Sequence, residues 1–176
     1  IMRPALDVLF TALRNYRDRV SAATRFRFNF LGTSYVAEGA GQPSVLPVAQ
    51  ACGVDDQVFE VPRRLGYLES LGLLVEADAL LLLGSGDRAY SPSKLYPCYL
   101  SGKPMLCVVL RDSYLEGLLA ELNCSVIAAF DPEAQRAAAE AAIHRFFDLA
   151  LAGFPLALLP TRNDELFNRR YLAEPL

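Results

Sequence analysis

The chain has 176 residues, 53% of them hydrophobic and 21% charged, with 17 Lys and Arg against 20 Asp and Glu. That length is about one domain, its apolar share can build a well-buried core, and a near-neutral balance without long runs of either sign excludes a nucleic-acid footprint. No apolar stretch reaches the roughly 20 residues needed to span a bilayer, and the first residues lack the layout of a signal peptide, so a soluble, cytoplasmic protein is expected. The opening Ile-Met, followed almost at once by a helical pattern, reads as a piece of a longer protein or a cloning remnant.

From Pro4 to Val20, Leu6, Leu9, Phe10, Leu13 and Val20 recur at helical spacing, and Arg14, Arg17, Asp18 and Arg19 cluster at the far end, which predicts an amphipathic helix. Phe26, Phe28 and Phe30 then alternate with Arg25, Arg27 and Asn29 up to Gly32, the period-two pattern of a strand with one polar face. Ser44 is placed to cap a helix through Val45, Leu46, Val48 and Ala49 that stops at Gly53, and a short strand is expected near Val58 to Val61. Pro62 opens a further helical stretch with a stripe of Leu65, Leu68, Leu71 and Leu74. Three apolar runs follow, in "ADALLLLGSG", "MLCVVL" (Met105 to Leu110) and "SVIAAF" (Ser125 to Phe130); lacking alternation, they read as strands buried on both faces. Helical stretches separate them at about 94–101 and 113–122, and Asp131, Pro132 and Glu133 supply the cap, first-turn proline and acidic first turn of a long alanine-rich helix. The tail from Thr161 to Leu176 mixes Arg162, Arg169 and Arg170 with Leu166, Phe167, Tyr171 and Leu172 and predicts one more helix.

Strand and helix alternate, so the expected fold is α/β: one Rossmann-like domain over 1–176, an open parallel sheet of about five strands with helices on both faces. Cys52, Cys98, Cys107 and Cys124 form neither a CxxC pair nor a metal-ligand cluster and read as reduced core thiols. The sole histidine, His144, has no evident local partner and is expected on a helix face.

In open α/β sheets, ligands bind beyond the carboxyl ends of strands, where loops lead into helices. "SPSKLYPCYLSGKP", Ser91 to Pro104, occupies such a place after the "LLLL" run. Ser91, Pro92 and Ser93 reach a helix start at which backbone N–H groups and Lys94 suit a diphosphate; the plainer reading is a capped helix and a solvated lysine. In "EVPRRLGYLES", Arg63, Arg64 and Tyr67 enter a helix after a strand, where arginine can pair with phosphate and loop backbone can bond a base edge; solvated arginines are the plainer reading. "GTSY", Gly32 to Tyr35, is either a site of close ligand approach or a turn. No Walker loop and no GxGxxG supports ATP or NAD.

The order "FNFLGTSY", "VFEVPRRLGYLESLGLLVEADALLLLGS", "SPSKLYPCYLSGKPMLCVVL" resembles the C-terminal, nucleotide-sugar-binding domain of GT-B glycosyltransferases of the family 4-like group, over most of the chain. The resemblance implies one half of a GT-B fold and a retaining enzyme that transfers a sugar from a UDP- or GDP-sugar to an acceptor hydroxyl, with no other cofactor and no metal. It implies donor diphosphate contacts at Ser91, Ser93, Lys94 and Leu95, and base or ribose contacts among Gly32, Ser34, Val61, Pro62, Arg63 and Arg64; no catalytic residue follows from it. Its partners are then the donor and the enzyme's own N-terminal domain, with peripheral membrane association open to the whole enzyme. On this likeness the N-terminal domain, this domain's first strand and the glycine-rich donor loop lie outside 1–176, and the chain alone is expected to bind weakly and catalyse little. Ala89 and Pro97 stand where many members carry a pair of glutamates, the second of which usually binds the donor ribose. That departure is the argument for one alternative, a degenerate, non-catalytic GT-B domain acting as an interaction scaffold; another is a further GT-B-fold enzyme, such as a sugar-nucleotide epimerase.

Overall fold

The computed structural model describes residues 2–20, 26–34, 41–124, 126–134 and 136–155. In chain order they form α1 (Arg3–Arg17), β1 (Phe28–Leu31), α2 (Leu46–Cys52), a short 3-10 turn (Asp55–Gln57), β2 (Val58–Val61), α3 (Tyr67–Glu76), β3 (Leu80–Leu83), α4 (Leu95–Leu100), β4 (Met105–Leu110), α5 (Tyr114–Glu121), β5 (Val126–Phe130) and α6 (Ala137–Ala152). The architecture is α/β with five strands, every pairing parallel, in keeping with a Rossmann-like open fold. The ladder is divided: β1 pairs with β2, while β3, β4 and β5 form a separate three-stranded sheet with β4 at its centre. The tail helix expected over 161–176, Arg25 and Tyr35 fall outside the described residues.

β4 shows why its run is apolar throughout. Leu106, Val108 and Leu110 face one hydrophobic cluster, Met105, Cys107 and Val109 face another, and all six are buried. The first cluster joins α1, α2 and α6 to β4 and β5, with Phe28 and Phe30 of β1 packed at its margin. The second joins β3 and β4 to α4 and α5, so helices cover both faces. On α1, Leu6, Leu9, Phe10 and Leu13 are buried, each side chain contributing about 1.5–3 kcal/mol of apolar transfer. The alternating phenylalanines behave as their period predicts: Phe26 stacks on Phe147 at 4.7 Å between centroids, Phe30 meets Phe10 edge-on at 6.0 Å, and Arg27 on the opposite face lies over the Phe59 ring.

Three helix starts differ from expectation. α3 begins at Tyr67, five residues after Pro62, because Glu69 reaches back to the Gly66 N–H and fixes the first turn there. α6 begins at Ala137: the Asp131 carboxylate accepts from the Glu133 N–H, and that local turn holds the chain out of the helix until Arg136. Ser44 does not cap α2; Val45 occupies the cap position, and the acceptor for the helix start comes from a neighbouring strand.

The cysteines are free, and Cys98, Cys107 and Cys124 are buried in the second cluster. Burial pushes the Cys98 thiol up to about 11, against a smaller pull from Lys94, which keeps it protonated and packed as a hydrophobe. His144, by contrast, is neither exposed nor alone. It lies at the α1–α6 junction, its Nε2 2.8 Å from the Ala12 carbonyl oxygen and its Nδ1 3.0 Å from Arg19 Nη1. A carbonyl only accepts, so Nε2 carries the proton and Nδ1 accepts from the guanidinium. Tyr16 donates to Asp148 and Asn15 to Glu140 across the same junction. Among the described residues no helix is long and apolar enough to cross a membrane.

Candidate functional site

Two groups of predicted residues assemble at the ends of parallel strands, in different ways. At the end of β1 the chain turns at Gly32 with φ 70, a left-handed conformation that a side chain would strain. The pairing with β2 continues past the strands: the Gly32 N–H donates to the Val61 carbonyl at 2.9 Å and the Ser34 N–H to the Pro62 carbonyl at 3.0 Å. Gly41 closes against the same place, where a Cβ would stand 3.0 Å from Ser34 Cβ and 3.3 Å from Pro62 Cβ. Gly41, Val61, Pro62 and Arg63 line a shallow depression of about 200 Å³. Pockets for whole drug-sized ligands run to about 300–1,000 Å³, so this one suits a single ring or headgroup.

The carbonyls of Val61 and Pro62 are committed to Gly32 and Ser34, so the polar backbone left at this depression is that of Gly41 and Arg63, neither of which makes a backbone hydrogen bond among the described residues. Arg63 and Arg64 lie in the loop before Gly66, not in the helix. The Arg63 guanidinium is held by Glu69 Oε1 at 3.2 Å. Arg64 is exposed and has no side-chain partner among the described residues.

The second group follows β3. A Cβ on Gly84 would stand 3.1 Å from Val109 Cα, so the loop leaves the sheet through a close approach at which any side chain would press on the β4 backbone. Ser85 Oγ accepts from the Asp87 N–H, Asp87 Oδ1 from the Ala89 N–H, and Arg88 donates to the Arg111 carbonyl at 2.6 Å. Anchored in this way, the loop leads to Ser91, Ser93 and Lys94, all exposed and without side-chain partners among the described residues. Leu95 departs from expectation: its N–H is donated to the Pro92 carbonyl at 3.1 Å and its side chain is fully buried, so it offers a ligand no donor. Ala89 is exposed on the loop and Pro97 half-buried within α4.

Val61, Pro62 and Arg63 therefore line one depression with Gly41, and Gly32 and Ser34 are joined to it through the Val61 and Pro62 carbonyls, while Ser91, Ser93 and Lys94 share another loop. No hydrogen bond or ion pair joins the two groups among the described residues. Sequence reasoning missed Glu60. Its carboxylate accepts from Thr33 Oγ1 at 2.6 Å and from the N–H groups of Ser44, Val45 and Leu46 at 2.9, 3.0 and 2.8 Å. Partial burial pushes this carboxyl up, but the four hydrogen bonds outweigh it and hold the group below its usual range. The available signal was a carboxylate at a strand end opposite a helix start rich in unpaired N–H groups. No group of His, Cys, Asp and Glu among the described residues is arranged to hold a metal ion.

No family model matches the chain, and neither a curated protein nor a solved structure matches it.

Proposed function

We propose that this chain is the donor-binding domain of a GT-B-type glycosyltransferase, a retaining enzyme that moves a sugar from a UDP- or GDP-sugar to an acceptor hydroxyl. One observation carries the reading: Lys94 and the hydroxyls of Ser91 and Ser93 stand exposed, without side-chain partners among the described residues, on an anchored loop beyond a parallel strand. An ammonium and two hydroxyls so placed offer a diphosphate charge and donors without first breaking an internal bond. Arg64, exposed and without a side-chain partner among the described residues, offers a second cation, and the depression at Val61, Pro62 and Arg63 has room for a base. In the transfer step, Lys94 would stabilise charge developing on the leaving diphosphate.

Calorimetric titration of the full-length protein with UDP, GDP, ADP and their sugar conjugates tests this, with Lys94→Ala as the control. Selective uptake of one nucleotide, weakened about tenfold to a hundredfold in the variant, is expected, since a hydrogen bond to a charged group contributes about 1.5–3 kcal/mol. Uptake of none would overturn the reading. A non-catalytic interaction scaffold is the second reading, and α3 favours it: none of its residues is buried, and Tyr67 and Leu68 are 75% and 79% exposed.

A further inference from the structure

We propose that Glu60 is a positioning residue: its carboxylate sets the shape of the depression between the β1–α2 connection and the β2–α3 loop. Glu60 precedes Val61 on β2, so it projects from the strand that carries one wall. Oε1 holds Thr33, which stands between Gly32 and Ser34, the two residues whose amides reach the Val61 and Pro62 carbonyls. Oε1 also holds the Ser44 N–H and, at 3.4 Å, the Ser44 hydroxyl, while Oε2 holds Val45 and Leu46. One carboxylate thus ties Thr33, just past β1, and the entrance to α2 at Ser44 to Leu46 to the strand they face.

Charge and geometry both require an ionised carboxylate here. Four of its five partners are an N–H or a hydroxyl donating to it at 3.0 Å or less, and α2 has no side-chain cap of its own. No cation pairs with Glu60 among the described residues: Arg27 bonds Asn29 and covers Phe59, and Arg63 is taken by Glu69. A glutamine in its place accepts through one oxygen only and turns an NH2 toward amides that themselves donate. Protonation likewise puts a hydrogen where an acceptor is needed. Because the hydrogen bonds hold this group low, the clasp is present above the ordinary carboxylate range and is lost as pH falls through the depressed value in the folded protein.

The consequence for nucleotide affinity rests on the donor-site reading; the consequence for the depression does not, and two measurements keep them apart. In the first, amide proton shifts and hydrogen exchange of Gly32, Ser34, Ser44, Val45 and Leu46 are followed by NMR from neutral to acid pH and in Glu60→Gln. The three amides of 44–46 should titrate together with the Glu60 carboxyl carbon, and in the variant they should exchange about tenfold faster, the loss of roughly one hydrogen bond each. Amides that ignore the Glu60 titration, or exchange unchanged in the variant, overturn the proposal. If Glu60→Gln does not fold, the wild-type titration still decides, with Thr33→Val as a milder variant that removes one bond. In the second, UDP and GDP are titrated into wild type and Glu60→Gln at neutral pH, with a rise in Kd of about tenfold expected although Glu60 touches no ligand. Equal affinity overturns the link to binding. Uptake of neither nucleotide by wild type overturns the donor-site reading, and the role of Glu60 then stands or falls on the amide data.

Discussion

The three-stranded and two-stranded sheets are held by different forces. Around β3, β4 and β5 apolar side chains close on both faces, and α4 and α5 bury residues in that packing. Around β1 and β2 the apolar cover lies on the face toward α1 and α6, Phe59 is 46% exposed, and the connections are fixed by one carboxylate and a few backbone bonds. The comparison teaches that burial specifies the first sheet and directional bonding the second, and that the depression proposed as a binding site lies in the part with less packing behind it. Such regions open locally at lower free energy than a packed core.

The largest test of that contrast is in the core. Leu119→Ala on α5 removes a fully buried side chain and should cost about 2–5 kcal/mol in chemical denaturation. The glycines come next. Gly84→Ala forces a methyl against the β4 backbone at 3.1 Å and should cost about 1–3 kcal/mol. Gly72→Ala on α3 meets nothing within 4 Å and should stabilise by about 0.5–1 kcal/mol, by restoring helix propensity. A destabilised Gly72→Ala would show that the open face of α3 at Gly72, away from Leu74 and the second cluster, is packed against something.

Acid should separate the two sheets as well. The Glu60 carboxyl lies below its usual range in the folded chain, so its contribution is complete above the unfolded value, near 4.5, and fades as pH falls through the folded one. Exchange measured along an acid series should therefore loosen Thr33 and Ser44 to Leu46 before the amides of β4. At the other extreme, burial first and the bond to Asp148 second raise the Tyr16 phenol to about 12. Its protonated form is favoured by folding, so the α1–α6 junction should weaken as pH rises from about 10 through about 12, followed by tyrosinate absorbance against helix signal.

The same division explains what could be read from the sequence. β2 and β4 stand at their expected bounds, and β5 within a residue, because continuous or alternating apolar residues report burial directly. The helix starts at Tyr67 and Ala137 were displaced by Glu69 and Asp131, side chains that bond nearby N–H groups and leave no periodic trace. Gly32, Ser34, Val61, Pro62 and Arg63 were legible as neighbours of strand ends. Glu60 was not, since its partners lie 14 to 16 residues away at the entrance to α2 and 27 away at Thr33, and only the fold brings them together. His144 escaped for the same reason, its partners Arg19, just past α1, and Ala12, on α1, lying 125 and 132 residues distant.

The smallest expected effect is the most discriminating for α3. Its leucines repeat at helical spacing, which in sequence is indistinguishable from a core stripe, yet none is buried. Leu68→Ala should therefore change stability by no more than about 0.5 kcal/mol, against the several lost at Leu119, although both remove the same atoms from a helix. Apolar surface already in water loses nothing by truncation in the isolated chain; it matters only when something covers it. A near-zero effect leaves the exposed start of the stripe, at Tyr67 and Leu68, free for a partner, as the scaffold reading needs, while Leu74 at its end packs on the second cluster. A cost of 2 kcal/mol or more, on the order of core truncations, would place Leu68 in contact with other residues and remove the main support for that reading.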